Sequence, residues 1–176
     1  MAKPDPAEAK LWTMIEAAWK PRGAKVNALR AELAVRDPDE DDGDDDDDEL
    51  DIELIDAALE DVVAALRAAF HDMPQAELAA IDRVLEKKLY DIDRQEIQEV
   101  TDGSDDGFLY ARGFIVVMGQ VFYDAVNANP AVAIMDAECE EMCYLPAHVY
   151  NERFGKFPEH DSGISRESCS NKDAWD

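Results

Sequence analysis

The fold is decided by Val100–Gly119, VTDGSDDGFLYARGFIVVMG. A polar knot, Thr101–Gly107, runs without a spacer into one of the most apolar segments of the chain. FIVVMG alone has the composition of a buried strand. Helical spacing continues on both sides of it, so Phe108–Ala128 reads as a central helix, apolar on nearly every face. Ser104, Asp105 or Asp106 would cap that helix, because a side-chain oxygen satisfies amides the first turn leaves unpaired. Acids there also meet the positive end of the helix dipole. Arg112 is the only cation in Phe108–Val126. It is expected to pair with Asp105, Asp106 or an acid on a neighbouring helix, since a buried guanidinium without a partner is costly. Gly113 and Gly119 would let another helix approach closely.

Outward from this segment the pattern stays helical. Leu11, Trp12, Ile15, Ala18 and Trp19 form one stripe, broken by Pro21 and Gly23. Ala24–Arg36 is a weaker helix carrying Val26, Leu29 and Leu33. Leu50–Phe70 carries Leu54, Ile55, Ala58, Leu59, Val62, Val63 and Leu66. Pro74 suits the first turn of a helix with Leu78, Ile81, Leu85 and Leu89. Pro130 starts another that reaches about Phe154, with Pro146 inside it as a kink or break. No run of period-two alternation and no hairpin turn between strand-like flanks is present. The expected fold is all-α, a compact bundle of about five to seven helices. It carries an acidic disordered loop at 37–49 and an irregular C-terminal tail. The helical domain spans 8–160. The tail, 161–176, holds four of the five serines and little periodicity, and is expected to lie against the body.

The formal net charge of the 176 residues is −25, and eleven acids fall in Asp37–Glu49 alone. Setting that run aside leaves −14, so the helical part is acidic too. Such a surface repels phosphate backbones and anionic membranes, which excludes direct nucleic-acid and membrane binding. The acid run itself repels internally and reads as extended and solvated. No signal-peptide core or membrane-length apolar window is present, and three cysteines make an odd set. The expectation is a soluble cytoplasmic protein with reduced thiols.

The knot fails a calcium-loop test. Asp102, Ser104, Asp106 and Gly107 fit positions 1, 3, 5 and 6, but position 12 is Gly113 instead of a bidentate Glu. In the acid run, Gly43 at position 6 puts Pro38 at position 1. Cys139, Cys143, His148 and Cys169 are weak zinc candidates, because i, i+4 spacing only loosely matches paired zinc ligands. Buried free thiols are the simpler reading. Gly163–Glu167, GISRE, lacks the second glycine of a nucleophile elbow. His71 and His160 show no evident partner. There is no HExxH, phosphate-binding loop or dinucleotide fingerprint, so no cofactor is called for.

Taken together, GSDDGFLYARGFIVVMGQVFYDAV (Gly103–Val126) resembles the signature of bacterial domain-of-unknown-function family 4240. Leu11–Trp19 resembles that family's opening helix. Leu78–Asp93 and Met142–Glu159 resemble its middle and closing helices. The acid run looks like an insertion, and the Ser-rich tail lies beyond the usual end. The resemblance implies a small helical protein with no transferable activity. Asp105, Asp106, Gly107, Phe108 and Arg112 match the motif, so a shared site would be sought there. Charge favours a non-enzymatic, acidic interaction module that captures a basic protein, such as a nucleic-acid-binding protein or a toxin it neutralises. The alternative is a small-molecule or metal-dependent enzyme with a pocket at Asp105, Asp106 and Arg112. Oligomeric state is not legible.

Overall fold

The computed structural model describes residues 5–38, 46–101 and 103–175. Among these residues there are eight α-helices and no strand. They are α1 (Pro6–Trp19), α2 (Ala24–Val35), α3 (Asp46–His71), α4 (Gln75–Asp91), α5 (Gln95–Thr101), α6 (Asp105–Val117), α7 (Gln120–Ala128) and α8 (Glu140–Phe154). Most of the acid run, and Asp102 of the knot, lie outside the described residues. From Asp46 onward the backbone is helical.

The hydrophobic segment that opened the reading is the hub. In α6, Phe108, Leu109, Phe114, Ile115, Val116 and Val117 are all buried. Around it pack α4, α7 and α8, while α1 lies across α3 and α4, and α3 runs against α8. Gly113 permits the close approach of α8 to α6. A Cβ there would collide with the Cys139 carbonyl and sit 2.7 Å from the Cys143 sulfur.

Two expected helices are divided differently. Phe108–Ala128 is two helices, because the chain turns at Gly119 with φ +98°, a conformation that favours glycine. Carbonyls exposed by that break find new donors. Trp19 Nε1 donates to Val117 O at 2.6 Å, and Arg30 donates to Met118 O at 2.7 Å. Arg30 is held in turn by Glu16 at 2.8 Å and lies 4.5 Å over the Trp19 ring. The last helix starts at Glu140, not Pro130. Pro130–Val132 is a single 3-10 turn, followed by an irregular passage through Asp136 at φ +58°.

Pro146 neither ends nor splits α8. Proline removes one amide and loosens the turn before it. In that turn the Cys143 carbonyl accepts from Arg166 at 2.7 Å. The helix closes at Gly155, left-handed with φ +70°. Beyond it the chain is irregular except for a 3-10 turn at Lys172–Ala174, and it folds back onto α4 and α6.

Candidate functional site

At the knot, Ser104 is the N-cap of α6, its hydroxyl accepting from Gly107 N at 3.3 Å. Asp105 and Asp106 occupy the first turn, and both are exposed. They do not reach Arg112. For those two acids the expectation fails because Arg112 points inward: it is fully buried and donates to Leu89 O at 2.7 Å and Ser168 Oγ at 3.1 Å. Its guanidinium also lies 4.8 Å over Phe108. Burial pushes it below its ordinary value, against the opposing charge of Asp93. Carboxylates outside and a guanidinium inside do not converge on one cleft.

The tail closes over this corner through two buried acids. Asp93 accepts three successive tail amides, Cys169 at 3.0 Å, Ser170 at 2.7 Å and Asn171 at 2.9 Å. Trp175 Nε1 adds a bond to the same carboxylate at 3.2 Å and packs edge-on against Phe108 at 5.7 Å. Ser168 bridges Arg112 to the Asp105 carbonyl, which it reaches at 2.5 Å. On α4, Asp82 is only 1 % exposed and meets His160 Nε2 at 2.7 Å and Arg166 at 3.1 and 3.2 Å. His160, expected to lack a partner, has this one. Burial alone would raise the Asp82 carboxyl. The His160 hydrogen bond and the Arg166 charge outweigh it and hold the carboxyl below its ordinary value.

The four residues considered for zinc do not come together. No group of three or more His, Cys, Asp or Glu is placed to hold a metal among the described residues. Cys143 donates to the Leu109 carbonyl at 3.3 Å, His148 stacks on Tyr144, and Cys169 is exposed on the tail. Burial pushes the Cys139 thiol up to about 11 and the Cys143 thiol up to about 12, so both are weak nucleophiles at neutral pH.

A different cluster emerges beside the knot. Glu138 lies against Gly107, where a Cβ would meet its carboxylate at 3.1 Å. Tyr110 hydrogen-bonds Glu140, and its phenol is raised by burial and then by the charges of Glu140 and Asp106. Asp56 on α3 is raised by burial and by Glu53, and it acts together with Glu141 on Cys139. Asp106 and Glu140 both act on Tyr110, and Asp56 and Glu141 both act on Cys139, so acids from the start of α6, the start of α8 and the N-terminal half of α3 gather into one acidic face. None of the ion pairs among the described residues involves Glu53, Asp56, Asp105, Asp106, Glu138, Glu140 or Glu141.

Half of the signal for this face was legible in the sequence and missed. No Lys or Arg occurs between Arg36 and Arg67, or between Arg112 and Arg153. The fold packs α3 and α8, from those two cation-free stretches, against each other. Asp82 also left a signal, an acid on the apolar stripe of Leu78, Ile81, Leu85 and Leu89. No helix is long and apolar enough to cross a membrane among the described residues.

No curated protein and no solved structure matches the chain. A family model described as "Protein of unknown function (DUF4240)" matches residues 44–152, which span α6, the acidic face and both buried acids but stop short of the tail. The chain therefore belongs to domain-of-unknown-function family 4240.

Proposed function

We propose that the protein is a non-enzymatic module that binds a basic protein through the acidic face of α3, α6 and α8. The observation that carries this reading is the uncompensated crowding of Glu53, Asp56, Asp106, Glu138, Glu140 and Glu141. Acids crowded together without cations among them repel one another and hold a negative local potential, and a cationic surface relieves that repulsion. Complementary charge also speeds encounter and excludes acidic partners. A toxin whose cationic active surface is covered by this face would be neutralised, which is the immunity-like form of the same reading.

The enzyme alternative finds less support, because the exposed Asp105 and Asp106 and the buried Arg112 serve different surroundings. The test is affinity enrichment with the wild-type chain and with a variant carrying Asp56→Asn, Glu140→Gln and Glu141→Gln. Basic partners are expected on the wild type at low salt and depleted on the variant. Equal recovery on both would overturn the assignment to this face.

A further inference from the structure

On α8, one helical turn past the acidic face, four groups form a column. The Arg166 guanidinium lies 5.1 Å over the Tyr144 ring. Tyr144 and His148 are i, i+4 and stacked, with centroids 5.8 Å apart and planes 21° apart. Phe157 returns after the left-handed Gly155 and meets His148 edge-on at 6.2 Å. The inner end of the column is closed, since Arg166 is bound to Asp82 and the Tyr144 hydroxyl donates to Glu167. The outer end is open: His148 is exposed and Phe157 is 55 % exposed.

An exposed phenylalanine beside a stacked imidazole is an expensive surface to leave to water. The charge around it decides what would cover it. Glu141 precedes Tyr144 by one turn, Glu152 follows His148 by one turn, and Glu159 and Asp161 follow Phe157; all four are exposed. The cations of this region are largely engaged. Arg67 bonds Glu152, and Arg153 bonds the Phe70 and Met73 carbonyls, leaving Lys156 exposed beside Phe157. An aromatic platform with an acidic rim fits a flat cation better than a compact one. A guanidinium stacks on rings, donates to carboxylates at its edge and sheds water more readily than an ammonium.

We propose that the open end of this column, His148 and Phe157, seats an arginine side chain of the partner, so that the protein selects arginine-bearing over lysine-bearing basic surfaces. Arg166 on Tyr144 is the internal example of the same contact. The proposal rests on the basic-partner reading and sharpens it.

The experiment titrates two synthetic peptides of equal length and charge, one arginine-based and one lysine-based, against the full chain, Phe157→Ala and His148→Ala. The arginine peptide should bind the wild type more tightly than the lysine peptide. Each substitution should weaken the arginine peptide about two- to fivefold and leave the lysine peptide unchanged. Both side chains are exposed, so the variants should fold, which a thermal melt checks. Equal affinity for the two peptides, unaffected by Phe157→Ala, overturns the arginine seat while leaving the acidic face standing. Absence of binding by either peptide overturns the seat and counts against the basic partner as well.

Discussion

Replacing Asp82 by alanine removes the buried carboxylate that holds the tail to α4. Asp82 is 1 % exposed, and its partner Arg166 is 7 % exposed. The variant therefore strands a guanidinium in the interior along with His160. Breaking a buried pair on one side costs about 3–5 kcal/mol, most of it the penalty of the charge left behind. For a chain of this size each kcal/mol lowers Tm by about 2–4 °C, so the expected loss is about 6–20 °C. Urea unfolding followed by circular dichroism measures it. Asp82→Asn keeps the shape and should lose less. The double variant Asp82→Ala, Arg166→Met should recover part of the loss, because no charge is then stranded. Acid should reproduce the effect. The folded-state carboxyl is held below its ordinary value. Its contribution is therefore present above the unfolded value, near 3.8, and lost as pH falls through the lower folded one. A single Asp82→Ala variant within about 1 kcal/mol of wild type would refute the reasoning, since surface pairs are worth no more than that.

Three further outcomes follow from the packing. Gly113→Val should destabilise by about 1–3 kcal/mol, because a side chain there meets the Cys139 backbone and forces α6 and α8 apart, and a thermal melt reads it. A maleimide reagent should label Cys169 in the folded protein and leave Cys139 and Cys143 until urea is added, as mass spectrometry of the digest would show. Asp93→Ala should free the segment from Cys169 to Trp175, seen as faster amide exchange there with α4 protected as before.

Periodicity made the all-α class and most helices legible, because apolar stripes such as Leu11, Ile15 and Trp19 report burial on one side. It failed where helical spacing runs on through a break. Phe108–Ala128 looks continuous because the apolar residues of α6 run straight on into Phe122, Tyr123 and Val126 of α7, although α7 buries only that side and leaves Val121 exposed, and the break rests on Gly119 accepting φ +98°. The knot reads correctly as a helix start because Ser104 acts locally. Arg112 does not pair with Asp105 or Asp106 because its hydrogen-bond partners, Leu89 and Ser168, are far along the chain, and the acid whose charge acts on it is Asp93. For the same reason His160 and Asp82, separated by a sequence distance of 78, gave no local sign of pairing. The acidic face needed two facts at once, the cation-free stretches and the packing of α3 on α8.

The most direct measurement is the affinity for a recovered basic partner, titrated by calorimetry as salt rises from about 50 to about 500 mM, a range over which the screening length falls severalfold. Binding through the acidic face gives an affinity that drops steeply with salt on the wild-type chain. The slope should be shallower on the variant carrying Asp56→Asn, Glu140→Gln and Glu141→Gln. An affinity indifferent to salt, or an identical slope on the variant, would contradict it.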